Sequence, residues 1–273
     1  MIKSKKNYFT IIILNLAIVV GFISTFMLTK NEEIEVSETN AEQVSNTKIS
    51  WGIRRNTSHE QPDVGSANRK ILEENNGITL GNKEQKVIYL TFDNGYEAGY
   101  TTKILDTLKE NEVKATFFIT AHYLNTASEL VERMIKEGHI VGNHTVNHKS
   151  MPEISDEEIK DEVMKLHQAV YEKFEYEMKY IRPPKGEFSE RTIIATNNLG
   201  YKHVMWSFAY VDWEENNQPS EEKAKKTILG NLHNGEIMLL HGNSKTNADI
   251  LDSIIKEIKA QGYEIKSLDQ FER

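Results

Sequence analysis

Between residues 87 and 265 the chain alternates between two hydrophobic periods, and no other feature narrows its possible folds as far. Short apolar runs at 87–90, 115–120, 139–142, 179–182, 203–208, 237–240 and 263–265 read as buried strands. Between them apolar residues recur at spacings of three and four, as in Ile104, Leu105 and Leu108, or Ile250, Leu251, Ile254, Ile255 and Ile258. Leu130, Val131, Met134 and Ile135 mark another helix, which Gly138 closes. Ser155 and Glu158 form a capping box for the best-defined helix, whose stripe is Ile159, Val163, Leu166, Val170 and Phe174. About seven strands separated by helices predict an α/β domain with a parallel sheet and crossover helices. Periodicity leaves two closures open, a barrel without edges and a doubly wound open sheet with two.

At 273 residues and 38% apolar content, the chain can bury a sizeable core. Lys3, Lys5 and Lys6 precede a run at 9–28 in which Thr10, Asn15, Ser24 and Thr25 are the polar interruptions. Such a run spans a bilayer, and lysines before it with glutamates after it place the rest of the chain outside the cytoplasm. A cleaved signal peptide is the alternative, although no small-residue cleavage site follows Leu28. The expected organisation is an anchor or signal at 1–30, an acidic disordered linker at 31–50, an extension packed on the main domain at 51–84, and an α/β domain at 85–273. The absence of cysteine excludes disulfides, thiolate metal sites and cysteine nucleophiles. A net charge of -8 with no basic stripe argues against nucleic acid as a partner.

Chemistry-bearing residues follow the predicted strands: Asp93 with Asn94, His144 with His148, Arg182, Asp212 with Trp213, and His241. All fall at carboxyl ends, where the loops of α/β architectures converge on a site. A helical turn over 144–148 would bring both imidazoles to one cation, whereas a polar loop would leave two surface histidines. Without cysteine, histidine nitrogen and side-chain oxygen suit zinc or another first-row divalent ion. Asp93 and His241 can form a base and acid pair, although a histidine ending an apolar strand is also satisfied by backbone alone. Arg182, ahead of Pro183, Pro184 and Gly186, can pair with Asp93 or Asp212, as a structural ion pair, an orienting group or both.

The runs TFDNG at 91–95, His144-x-x-x-His148, RPPKG at 182–186, Asp212-Trp213 and LLH at 239–241 resemble the five ordered motifs of NodB-type polysaccharide deacetylases, carbohydrate esterase family 4. The resemblance covers residues 86–273. FDNGYE with its Tyr96, WGIRR at 51–55, RPPKGEFSE and YVDW at 210–213 are most similar to the de-N-acetylases that form muramic δ-lactam in spore-cortex peptidoglycan. The resemblance implies a distorted (β/α) barrel. It implies Asp93 as catalytic base, Arg182 as the residue orienting it, His241 as general acid, and His144 and His148 as ligands of a divalent metal. Asn94 stands where most of the family has a third, acidic ligand, so the metal is expected to be weakly held. Pro184, Gly186, Asp212, Trp213 and Tyr96 are implied as substrate-binding or supporting groups. The implied reaction is de-N-acetylation of N-acetylmuramic acid in peptidoglycan strands whose peptide an amidase has removed. It would take place outside the membrane, in the wall or the space around a forespore. Two alternatives remain: a deacetylase of N-acetylglucosamine in peptidoglycan or chitin-like chains, and a non-catalytic glycan-binding barrel.

Overall fold

The computed structural model describes residues 44–56 and 58–273. The predicted anchor or signal and the linker up to residue 43 lie outside the described residues. Among the described residues no helix is long and apolar enough to cross a membrane.

In chain order the elements are β1 (Ile49–Ser50), α1 (Ser66–Glu74), β2 (Val87–Asn94), α2 (Thr101–Glu110), β3 (Thr116–Ile119), α3 (Ala121–Thr126), α4 (Ser128–Lys136), β4 (Ile140–Asn143), α5 (Asp156–Phe174), β5 (Tyr180–Ile181), β6 (Glu187–Phe188), α6 (Glu190–Asn198), β7 (Lys202–His203), α7 (Glu221–Leu229), β8 (Glu236–His241), α8 (Lys245–Ala260) and β9 (Glu264–Lys266). The capping box of α5 is formed in both directions, with Ser155 accepting from the Glu158 amide and Glu158 accepting from the Ser155 amide.

The main sheet is seven-stranded and parallel, in the order β7-β5-β4-β3-β2-β8, with β9 beside the amino-terminal half of β2. Successive strands are neighbours from β2 to β7, and β8 returns to the other edge of β2. That is one-way winding, so the doubly wound alternative is set aside and the sheet is a curled parallel half-barrel. The seam between β7 and β8 is crossed by single bridges, Val204 to Ile78 and Phe208 to Met238. The strand predicted at 203–208 is therefore shorter than expected. Its middle leaves the sheet because Met205 and Trp206 pack instead with Trp51, Val64, Leu72 and Phe188.

Residues 44–50, expected in the disordered linker, belong to the domain. β1 pairs antiparallel with β6, Ser45 O accepts from the Arg191 amide, and Asn46 bonds Pro152 O and Ser189. These are polar and backbone contacts to residues more than a hundred positions away, which local composition does not register. The extension contributes α1 and buries Trp51, Val64, Leu72 and Leu80 against Phe188, Ile193 and Met205.

Strand alternation sorts the interior from the helical shell. Ile88, Leu90 and Phe92 join the large core under the helices, while Val87 and Tyr89 join the core inside the curl with Phe118, Ile140, Tyr180 and Ile237. Continuing that inner face by twos leads to Asp93 on β2, Gly142 and His144 after Ile140, Arg182 after Tyr180, and His241 after Ile237. Gly142 has to be glycine, because a Cβ there would lie 2.5 Å from the Phe118 ring. Gly142→Ala is expected to lower unfolding free energy by about 1–3 kcal/mol, read as a lower urea midpoint at unchanged denaturant slope.

Candidate active site

Arg182 is the most enclosed charge of the inner face, 0% exposed. Its Nη1 donates to Asp93 Oδ1 at 2.7 Å, its Nη2 to Thr91 Oγ1 at 2.9 Å and its Nε to Val204 O at 3.1 Å. The guanidinium carbon lies 4.2 Å from the Phe118 ring centroid, over the ring for which Gly142 makes room. Burial alone would raise the Asp93 pKa. The Arg182 guanidinium above all, by charge and hydrogen bond, together with the nearby His241, more than reverses this and holds it below the ordinary aspartate value. Asp93 is thus a carboxylate at neutral pH, with one oxygen occupied by arginine and Oδ2 turned toward His144 Nε2, 3.6 Å away.

The His144–His148 segment is not a helical turn. Thr145 and His148 both adopt left-handed backbone, with φ of 66° and 56°, and the loop folds back so that the two rings stand 4.8 Å apart. Glu162 of α5 clamps it, accepting from the Asn147 amide and the Asn147 side chain at 2.7 Å each. His144 Nδ1 donates to Arg182 O at 2.8 Å, which leaves Nε2 of the neutral ring as a lone pair. Burial lowers the pKa of His144 and, together with the neighbouring His144 and Lys185, takes that of His148 to about 4. Both rings are uncharged at neutral pH and able to coordinate a cation.

His241 is the register partner of Asp93 across β8 and β2, so the two side chains share the inner face. Asp212, fully buried, accepts from His241 Nδ1 at 2.7 Å and from the His241 amide at 2.9 Å. Asn247 donates to Asp212 Oδ2 at 2.6 Å and accepts from Tyr210 OH. Burial disfavours the His241 charge. Asp212, by charge and hydrogen bond, and Asp93 outweigh it and raise the pKa above the ordinary histidine value. The Trp213 ring lies 5.2 Å from the imidazole. The site therefore holds an ionised carboxylate and a protonatable imidazole, each set by its own buried partner.

Asp93, His144, His148 and His241 open into one cavity of about 640 Å³, walled by Trp51, Trp206, Trp213, Pro183, Lys185 and Gly186 among others. Several expected site residues stand elsewhere. Asn94 does not line the cavity. It is fully buried one position along β2 from Asp93, its Nδ2 donates to Thr101 Oγ1 at 3.4 Å, and its Oδ1 has no hydrogen-bond partner. Pro184 is buried in the turn while Pro183 reaches the wall, and Asp212 acts from beneath His241 rather than from the surface. Tyr96 lies in a neighbouring depression, bonded to Glu215 and Asn243. Arg182 pairs with Asp93 and not with Asp212.

No three His, Asp or Glu side chains converge as a ready cage among the described residues. The donors present would fit a divalent ion, which His144 and His148 would hold: both rings are neutral, and His144 is backed by a carbonyl. Sequence reasoning missed Glu162, Asn247 and Trp206 and gave Arg55 of the WGIRR run no role, since their parts depend on partners distant in the chain. For Glu162, a glutamate on the buried stripe of α5 was an available signal.

Residues 80–204 match the family model described as polysaccharide deacetylase. The chain is 43% identical to the peptidoglycan-N-acetylmuramic acid deacetylase PdaA of Bacillus subtilis, over 84% of this chain and 88% of that protein. It is 50% identical to an uncharacterised 30.6 kDa protein of Geobacillus stearothermophilus, over 83% and 86% of the two chains. The solved structure of Bacillus subtilis PdaA, titled a family 4 carbohydrate esterase, superposes with a TM-score of 0.81 at 42% identity, covering 84% of this chain and 98% of that one. A match covering 84% of 273 residues takes in residues 51–55 wherever it begins.

In Asp212→Asn the charge that raises the His241 pKa is removed while the burial that lowers it stays. The imidazole is then expected to titrate at lower pH than in the wild type, as followed by its ring-proton NMR shifts.

Proposed function

Because this chain belongs to the polysaccharide deacetylases, carbohydrate esterase family 4, we infer that it hydrolyses the acetamide of N-acetylmuramic acid in peptidoglycan, releasing acetate and a free amine. The observation that carries the chemistry is the register pairing of Asp93 with His241, which sets an ionised carboxylate and a raised-pKa imidazole on one wall of the cavity. Members of the family are metal-dependent. A divalent ion bound at His144 Nε2 and the His148 ring would supply Lewis-acid polarisation and acidify water at neutral pH.

The chain's own groups divide the remaining work. Arg182 fixes Asp93 through Oδ1, so Oδ2 faces the cavity and takes a proton from the attacking water. Asp212 holds the His241 tautomer with hydrogen on Nδ1 and favours the imidazolium, whose Nε2–H is then available to the departing amine. Trp51, Trp206 and Trp213 give the cavity flat apolar walls suited to sugar faces.

We further propose that the freed amine closes on the lactyl carboxyl to give muramic δ-lactam in spore cortex, after an amidase has removed the peptide. The catalytic domain would act outside the membrane, held by or released from the segment at 1–30. The order of lysines, apolar run and glutamates supports that topology, and the similarity to a muramic acid deacetylase supports the substrate. The metal is expected to be a first-row divalent ion held weakly, since the acidic third ligand of most relatives is Asn94 here.

Peptidoglycan pretreated with an amidase, incubated with the protein and analysed by mass spectrometry, tests the reading. Loss of one acetyl group from peptide-free N-acetylmuramic acid is expected, and none from peptide-bearing residues. Deacetylation confined to N-acetylglucosamine, or glycan binding without hydrolysis, would contradict it. Asp93→Asn is expected to lower the rate by roughly 10²–10⁴-fold with glycan affinity retained. A chelator should abolish turnover reversibly, with activity restored by added divalent ion.

A further inference from the structure

A cavity that takes N-acetylmuramic acid only once its peptide is gone must read the group that the peptide leaves behind. The run WGIRR lies where that group would arrive, because its Trp51, Gly52, Ile53 and Arg55 all line the cavity that contains Asp93. The segment is seated there by the Trp51 amide, which donates to Gly186 O at 2.9 Å, and by Trp51 Nε1, which donates to Trp206 O at 2.8 Å. Arg55 is itself held in place: Nη2 donates to Ala209 O, and the guanidinium carbon lies 5.3 Å from the Phe208 ring centroid. It is exposed, and it forms no ion pair with a carboxylate among the described residues. One edge of a planar, permanently charged donor is thereby anchored, and its other N–H groups have no hydrogen-bond partner among the described residues.

The charge balance of the cavity is the reverse of the whole molecule's. The chain carries -8, yet the described lining holds Arg55 and Lys185 without carboxylate partners, and its one carboxylate, Asp93, is already paired with Arg182. Such a wall calls for an anion that the substrate brings. In N-acetylmuramic acid the lactyl ether stands on the ring carbon next to the one bearing the acetamide, so a cavity that takes the amide also receives the lactyl group. Its carboxylate is free only when the peptide, which is amide-linked to it, has been removed.

We propose that Arg55 binds the lactyl carboxylate of peptide-free N-acetylmuramic acid and is the residue that sets specificity for that form. This assignment rests on the reading of the site as a muramic acid deacetylase. Arginine suits the task better than Lys185, because its fork matches a carboxylate bidentately and is already oriented by Ala209 and Phe208. Glucosamine units lack the lactyl group and forgo the contact; peptide-bearing units offer it an uncharged amide.

The test compares two peptide-free glycan probes, one with the lactyl carboxylate free and one with it as the methyl ester, across wild type, Arg55→Gln, Arg55→Lys and Lys185→Ala. The wild type is expected to favour the free acid by roughly tenfold in kcat/KM, the scale of a charge-assisted contact at a partly solvated site. Arg55→Gln should bring that preference to within about twofold, chiefly through KM, with Arg55→Lys intermediate and most of the preference retained in Lys185→Ala, whatever its rate on either probe. A full preference surviving in Arg55→Gln, or one abolished by Lys185→Ala alone, would overturn the assignment to Arg55. A wild type that hydrolyses neither probe would instead overturn the muramic acid reading beneath it.

Discussion

A buried arginine holding a carboxylate is the interaction on which the rest of this structure depends. Arg182 reaches from the end of β5 to Asp93 and Thr91 on β2 and to the carbonyl of Val204 beyond β7, so one side chain spans the inside of the curled sheet. Its backbone carbonyl also receives the His144 Nδ1–H. Desolvating two such charges is expensive, and leaving one of them alone typically costs about 3–5 kcal/mol. The pair therefore contributes less to net stability than to arrangement. It ties Asp93, His144 and the seam of the half-barrel to one another, and it lowers the Asp93 pKa that burial alone would raise.

The two ends of the proton path obtain opposite properties from the same inner face. Asp93 and His241 are register neighbours, yet arginine lies behind one and aspartate behind the other. An arginine behind the carboxylate favours its anion, and an aspartate behind the imidazole favours its cation. Around them the extension matters as much as the barrel. Trp51 and Arg55 come from a segment that precedes the first main strand, and they complete a wall that residues 85–273 would leave open.

Much of this was legible in the sequence, for identifiable reasons. Strand and helix periods located the main sheet, and the placement of Asp93, His144, Arg182 and His241 just beyond successive strands marked the site before any contact was known. The period of two also carried information about Asn94: it lies one residue from Asp93, whose inner-face neighbours are Val87, Tyr89 and Thr91, and its amide faces Thr101 instead of the cavity. The left-handed turn at Thr145 and His148 was not legible, since neither residue type announces positive φ and the loop is held by Glu162 from a later helix. Nor was the order of residues 44–50, whose composition is that of a tether but whose backbone finds an edge at β6. In each such case the deciding partner is remote in sequence.

The central claim is that Arg182 sets the ionisation of Asp93, and the pH dependence of kcat/KM on peptide-free N-acetylmuramic acid tests it most directly. Asp93 acts as its anion, so activity falls as pH drops through its pKa. In Arg182→Gln the stabilising charge is gone while burial remains, and the acid limb is predicted to move to higher pH, with part of the lost rate recovered as pH rises. An acid limb at the wild-type position, with the rate lowered equally at every pH, would contradict the account.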